Sequence, residues 1–579
     1  MNKRISRTST GVLLLQMLFQ YAWLSHLRDT DSFYSVYVLC AFAGIFCMFD
    51  NARNPRELSR RTGVWLGVLS GLFSLATLLA NYPLFQPVTS LLNLLNMALS
   101  LAGGFLITWN LLVCLASRLP LEPDSSERNH PGAFFWTVFG GIAAVNLLYL
   151  FFCCYPCIMA YDSFASFRQI LGLAAYDNRM PYWFTRTIGF FFEIGCALFG
   201  EINAAVAFYT VFQVLFLSAC FAYALLTLYQ ARVPRWFLGI AGFLYALLPY
   251  NLKFNVTIGK DVLFGVAGLL TITALYRILR GIGRSRIWNY VVFALGSLGF
   301  CLWRTNGWYA YLVTALVLLI CLRRQYPRLL AVMAVLLVVC GSLLNPYFQA
   351  KDIAGTDYIE AIAIPFQQVA QVVANDRELS AQDEALLSES FDLELVKELY
   401  TPGHVDVIKY DALRNRAYFL EHLGEYFSLW LRLGLKYPGE YLTSWIDQTK
   451  GYWNSGYDVG VNDQGIAANE LGIRQSGTDN LLSRLYAAAY RYVERPVILQ
   501  FLKSSGFAAW VVVVCFLICA LQGRREFLLS VPALVILAGL WFGTPVYAEF
   551  RYSYPVFITT PLLMGAALFG TKKRPAQPS

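Results

Sequence analysis

Apolar runs separated by short polar links fill most of the chain, and most have the length that carries a helix across a bilayer. They predict about fourteen spans, near residues 8–25, 33–49, 63–81, 89–117, 133–155, 204–229, 235–251, 261–280, 287–303, 306–322, 328–346, 506–522, 526–543 and 554–570. Two stretches break this pattern. Residues 156–203 include Y-D-S-F-A-S-F-R and a break at Met180-Pro181. Residues 347–505 are polar overall: 362–373 has helical apolar spacing, 417–450 reads as helices broken at Pro438, and 454–477 reads as a long loop rich in Gly and Asn. No internal repeat is evident.

Lysine and arginine orient the spans. With the N-terminus cytoplasmic, the basic residues of the N-terminus, 53–61, 232–235, 280–286, 323–328, 524–525 and 572–574 all fall on one side, with both termini inside. The opening M-N-K-R-I-S-R followed by an apolar run looks like a signal peptide. It lacks a small-residue cleavage site and more spans follow, so it reads as an uncleaved first span. The count closes only if 181–200, which carries Arg186 and Glu193, lies along the outer interface instead of crossing.

The expected fold is therefore an all-α polytopic membrane protein with an outer interfacial helix and a mixed, mainly helical extracytoplasmic domain. Its parts are an N-terminal four-helix membrane extension (1–132), a membrane core (133–346) with an outer loop at 156–203, the extracytoplasmic domain (347–505), and a three-helix membrane segment with a cytoplasmic tail (506–579). Composition agrees: 57% of the 579 residues are hydrophobic and only 14% charged, where a soluble chain carries about a quarter. The net charge of +9 is spread over short loops, not gathered in a patch, which argues against nucleic acid. None of the 13 cysteines lies in 347–505, so an exported domain there has no disulfides, which suits a bacterial cell surface. Cys154 and Cys157 form a C-x-x-C at a span end and read as small buried apolar residues.

Candidate chemistry gathers at the outer ends of the spans. Asp162 follows the fifth span, Lys260 and Asp261 open the eighth, Arg304 separates the ninth and tenth almost without a loop, and Arg551 precedes the last. Charges near membrane depth tend to line a cavity or pair with one another. Here the cations outnumber the carboxylates, which suits an anionic phosphate or diphosphate headgroup. Tyr161, Asp261 and Tyr552 adjoin them as supports. The competing account makes each cation a snorkelling anchor and Asp162 a helix cap. In the extracytoplasmic domain, Trp445, Gln448, Tyr452 and Trp453 combine aromatic faces with an amide, a pattern that binds sugar rings or anchors a domain at the interface. The four histidines lack metal-ligand spacing, no P-loop occurs, and no Ser–His–Asp set stands out. No cofactor is certain, and a divalent ion held by carboxylates stays open.

Together these features resemble the GT-C superfamily of polytopic glycosyltransferases, which includes protein O-mannosyltransferases and the bacterial aminoarabinose transferase of lipid A. Asp162 matches the acidic residue of the first outer loop, Met180-Pro181 the proline motif, A-L-F-G at 197–200 the end of the interfacial helix, and E-F-R-Y-S-Y-P the segment before a late span. Gly259-Lys260-Asp261, R-T-N-G at 304–307, E-A-I-A-I-P-F-Q-Q at 360–368 and L-K-Y-P-G-E-Y at 435–441 look like an uncharacterised bacterial branch. The resemblance implies an inverting transferase with Asp162 as catalytic base and a polyprenyl-phosphate sugar as donor. The donor phosphate would be held by Lys260, Arg304, Arg551 and Arg179, the last standing where relatives carry His or a carboxylate. The acceptor would be a cell-envelope glycan or lipid. A polysaccharide polymerase or ligase, a lipid-linked glycan transporter and a nonenzymatic scaffold are the competing readings. The charges sit at one surface and no repeated halves appear, which argues against transport.

Overall fold

The computed structural model describes residues 3–4, 10–28, 34–283, 285–351, 353–355, 358–457, 465–476, 479–494, 500–543 and 545–570. The basic stretch 572–574, Arg7 of the N-terminal basic run and the middle of the expected loop, 458–464, lie outside the described residues.

The protein is nearly all α. Four N-terminal helices, α1 (Thr10–His26), α2 (Tyr34–Arg53), α3 (Arg60–Ala80) and α4 (Leu91–Arg118), pack around α4. Then come α5 (Pro131–Cys153), α6 (Tyr161–Ile170), α7 (Tyr182–Phe199), α8 (Ile202–Gln230), α9 (Arg235–Leu247), α10 (Pro249–Val256), α11 (Lys260–Arg280), α12 (Arg286–Leu302), α13 (Thr305–Leu322), α14 (Pro327–Val338) and α15 (Leu344–Ala350). Among the described residues, seven helices build the polar stretch: α16 (Ala363–Ala374), α17 (Ala381–Ser390), α18 (Leu393–Leu399), α19 (Arg416–Glu421), α20 (Leu423–Lys436), α21 (Pro438–Thr449) and α22 (Leu481–Glu494). The chain ends in α23 (Ser505–Leu521), α24 (Val531–Phe542) and α25 (Phe550–Leu568). Among the described residues the strands come as two short pairs, β1 (Lys3–Arg4) with β2 (Glu57–Leu58), and β3 (Ile158–Met159) with β4 (Thr257–Ile258).

Among the described residues, nine helical stretches are long and apolar enough to cross a membrane, and the bent pair α9–α10 makes a tenth. This is a multi-pass membrane protein. The remaining four expected spans are helices too, α1, α12, α23 and α25, of 17 to 19 residues.

The most buried of the spans is α11. It is apolar all round, the pattern of a helix enclosed by others, and α8, α12 and α25 surround it. A Cβ on Gly265 would lie 3.2 Å from Pro555 Cα, so glycine is what lets α11 and α25 approach closely. The α12–α13 corner is equally tight. A Cβ on Gly307 would sit 2.0 Å from Phe300 O, and Gly307 N donates to Arg304 O at 3.0 Å, which fixes Arg304 at the apex.

The expected single span 235–251 is instead broken. Pro249 opens α10 after a bend of 50°, and α10 then runs buried to Val256. Interrupted backbone at membrane depth needs internal partners. Gln213 Nε2 donates to Asn255 O and Thr257 O, both at 2.9 Å. Asn255 Nδ2 donates to Asn146 Oδ1 at 2.8 Å, and Tyr554 OH donates to Asn255 Oδ1 at 3.2 Å.

The polar stretch folds around its own apolar core, centred on Phe366, Phe391, Phe419 and Tyr426. It leans on the helix ends through Tyr82 OH, which donates to Asp447 Oδ2 at 3.1 Å, and Tyr37 OH, which donates to Asn454 Oδ1 at 2.9 Å. Cys154 and Cys157 are buried thiols.

Candidate functional site

The short parallel pair β3–β4 brings two distant pieces of chain together. The strand β3 ends three residues before Asp162, and β4 ends two before Lys260. Ser163 Oγ ties them by donating to Ile258 O at 2.5 Å. Asp162 lies in the first turn of α6, where the helix dipole favours a carboxylate. Its Oδ2 is 3.2 Å from Lys260 Nζ and accepts a hydrogen bond from Arg551 Nη1 at 3.1 Å.

A second layer holds these partners. Lys260 Nζ also donates to the carbonyl of Arg179 at 3.4 Å. Arg551 Nε is 2.5 Å from Glu549 Oε2, and its Nη2 donates to Tyr552 OH at 2.9 Å. Arg304 pairs with the buried Asp261. The Tyr552 ring joins the two arginines, lying 5.1 Å from the Arg304 guanidinium and 4.7 Å from that of Arg551, both cation–π distances. Asp162, Lys260, Asp261, Arg304, Arg551 and Tyr552 thus form one connected cluster at one end of the bundle.

Electrostatics follow from that packing. Burial works against ionisation of Asp162, but the charges of Lys260 and Arg551 overcome it and hold the carboxyl down at about 2. Glu549 goes the other way. Burial pushes its carboxyl up, and Arg551 only partly offsets the effect.

Glu549 was quoted within E-F-R-Y-S-Y-P but not singled out, and it changes the charge count. The three cations Lys260, Arg304 and Arg551 face three carboxylates, Asp162, Asp261 and Glu549. The expected excess of cations is corrected to a balanced network.

Other expected residues sit apart. Arg179 reaches the cluster through its carbonyl, and its side chain is exposed. Tyr161 is 72% exposed. The four residues of the sugar-binding expectation are engaged in packing. Trp445 Nε1 donates to Trp541 O at 2.6 Å and its ring stacks with those of Trp453 and Phe542; Trp453 Nε1 donates to Thr449 Oγ1 at 3.0 Å. Gln448 is buried and its Nε2 donates to Pro545 O at 2.5 Å. Tyr452, wholly buried, donates to Tyr547 O at 2.9 Å and accepts from Glu549 N at 3.0 Å. It therefore positions the segment that carries Glu549 and Arg551.

Beside the cluster stands a node that sequence reasoning missed. Lys409, fully enclosed, pairs with Glu360 at 2.8 Å and Asp406 at 3.0 Å, and Tyr410 OH donates to Glu360. The adjoining loop is tied down where Asn178 N donates to Ala354 O at 2.9 Å. A lysine in a polar stretch carries no signal of burial, so only Glu360, within E-A-I-A-I-P-F-Q-Q, could have drawn notice.

Among the described residues, no three His, Cys, Asp or Glu side chains gather as metal ligands. Asp162 and Glu549 each face cationic nitrogens, an arrangement suited to an anionic ligand that competes for those nitrogens.

Residues 174–577 match the sequence family described as "Family of unknown function (DUF6020)", and the chain belongs to that family. The match takes in Lys260, Asp261, Arg304, Glu549 and Arg551 and begins after Asp162. No curated protein and no solved structure matches the chain.

Proposed function

We propose that the protein is an inverting glycosyltransferase that moves a sugar from a polyprenyl-phosphate donor to a cell-envelope acceptor at the outer face of a bacterial membrane. The observation that carries this reading is Asp162 held between Lys260 and Arg551 at the end of a helical bundle. In this proposal the chain crosses about fourteen times, both termini are cytoplasmic, α7 lies along the outer interface, and 347–505 faces outward to receive the acceptor.

The chemistry follows from the ion pairs. A carboxylate with a pKa near 2 is a weak base, because both of its partners favour the charged form. A donor phosphate competes for Lys260 and Arg551. As those nitrogens turn to phosphate oxygens, the Asp162 carboxyl loses what holds it down, and burial raises its basicity. Asp162 then takes the proton of an acceptor hydroxyl while that oxygen attacks the anomeric carbon from the side opposite the phosphate. The bond from anomeric carbon to phosphate oxygen breaks, and the polyprenyl phosphate leaves with its charge held by the same cations. A positioned general base contributes about 10²–10⁴ in rate, and stabilising the leaving group adds a comparable term.

The test is turnover by the full chain in lipid nanodiscs, supplied with a panel of polyprenyl-monophosphate sugars and cell-envelope acceptors, reading released polyprenyl phosphate. Asp162→Asn is expected to lower the rate at least about 100-fold. Full activity in Asp162→Asn, or turnover only with diphosphate-linked glycans, would replace this reading with a scaffold or a polymerase or ligase.

A further inference from the structure

At the end of the bundle away from Asp162, a groove of about 710 Å³ runs between α5 and α9 with Tyr229 of α8 at its floor. That volume is in the range of a small-ligand site. Its walls are apolar side chains such as Phe134, Val138 and Leu238, interrupted by small residues at helical spacing, Gly141 on α5 and Gly239 and Gly242 on α9. A Cβ on Gly141 or Gly239 would meet nothing within 4 Å, and one on Gly242 would meet only Leu225 at 3.7 Å. The glycines therefore leave space that no protein atom fills.

The sides of this groove belong to the lipid-facing surface. Trp136 and Trp236, near the starts of α5 and α9, are 66% and 59% exposed, and Phe243 further along α9 is 58% exposed. Exposed tryptophans near the ends of spans mark the membrane interface, so the groove beyond them runs at hydrocarbon depth. Its mouth carries His130 and the exposed Arg235. The nearby Asp124 accepts from Arg128 Nη2 and Ser126 N, both at 2.8 Å, and feels the charge of Arg235 as well, so Arg235 is shared between Asp124 and the mouth of the groove. Basic mouths between spans attract anionic lipid headgroups.

We propose that this groove holds one acyl chain of an anionic glycerophospholipid from the leaflet opposite the Asp162 cluster, with its phosphate beside His130 and Arg235. The site would have a structural consequence. The helix α5 leads through β3 to Asp162, and α9 leads through α10 and β4 to Lys260. A lipid seated between α5 and α9 thus braces the two limbs that carry the ion pair. The proposal rests on the membrane spans and is independent of the transferase reading.

The experiment uses the full chain in nanodiscs containing phosphatidylglycerol with a photoreactive diazirine in its acyl chain, followed by peptide mass spectrometry. Label is expected on residues 133–142 and 238–246 and should be competed away by unlabelled phosphatidylglycerol. Filling the groove with Gly141→Leu and Gly239→Leu should lower it about tenfold or more. The control Gly140→Leu adds the same side chain next door, where a Cβ also meets nothing within 4 Å, and should leave the label unchanged. Arg235→Gln should reduce the preference for phosphatidylglycerol over phosphatidylcholine about fivefold. Non-saturable labelling in the wild-type chain, equal labelling by phosphatidylcholine, unchanged labelling in the filled variant, or crosslinks joining two copies across the groove would each overturn the proposal.

Discussion

Removing the cations that flank Asp162 should release its carboxyl by a calculable amount. In the intact cluster the carboxyl is lowered from 3.8 to about 2 even though burial alone would raise it. A difference of nearly two units is on the order of 2 kcal/mol, and this is what remains after the burial penalty has been met. Lys260 and Arg551 approach Asp162 Oδ2 at 3.2 and 3.1 Å; Lys260 lowers the carboxyl most, Arg551 next, and Arg304 adds a smaller push. Lys260→Met is expected to raise the Asp162 pKa by about one unit or more and Arg551→Gln by somewhat less, and the double variant by more than about two, because burial then acts almost unopposed. The sign follows: a depressed carboxylate pKa stabilises the fold above the unfolded value, near 4, and that contribution is lost as pH falls through about 2. The assay is infrared difference spectroscopy of the protonated-carboxyl band against pH, with Asp162→Asn subtracted to isolate this group. A double variant whose Asp162 still titrates near 2 would refute the pairing as the cause, and with it the account of how a phosphate activates the base.

Two further outcomes test the supports. Tyr452→Phe removes the hydroxyl that accepts from Glu549 N, leaving a buried donor unpaired, and should cost about 1–3 kcal/mol in thermal unfolding while lowering transfer activity. Gly307→Ala places a methyl 2.0 Å from Phe300 O and must open the α12–α13 corner; a loss of about 1–3 kcal/mol is expected, together with weaker phosphate binding as Arg304 moves.

The apolar runs made the helices legible, because length and hydropathy alone define a segment able to cross a bilayer. Lys260, Asp261, Arg304 and Arg551 could be picked out for the same reason: a charge at the end of a span stands out against its surroundings. What failed to show were features that tertiary contact creates. Asn251, Lys253 and Asn255 made residues beyond 251 read as a polar link, yet they lie buried in α10, with Asn255 satisfied by Asn146 and Tyr554. Glu549 looked like one more residue beside a conspicuous arginine. Trp445, Gln448, Tyr452 and Trp453 misled in the other direction. Aromatic faces next to an amide serve equally well to stack on a sugar or on each other, and spacing along a chain does not distinguish the two.

The balance of charge in the cluster bears on what it can bind. Three cations against three carboxylates leave little net attraction for an anion. A lipid phosphodiester carries one negative charge across the whole neutral range, so any pH dependence of its binding must come from the protein. Asp162 is ionised throughout that range and Asp261 is paired with Arg304, while burial pushes the Tyr547 hydroxyl beside Glu549 up, so it stays neutral. Glu549 is the carboxyl that burial raises. Taking up one proton there removes the charge facing Arg551 Nε and gives the cluster the single positive charge that a phosphodiester matches. Donor affinity should therefore rise as pH falls through the Glu549 pKa, and Glu549→Gln should bind tightly with that dependence removed. A lipid-phosphate titration by fluorescence quenching at a series of pH values reads both. If Glu549→Gln bound weakly at every pH, the carboxylate would be acting only to hold Arg551 in place, and protonation of Glu549 would have no part in donor binding.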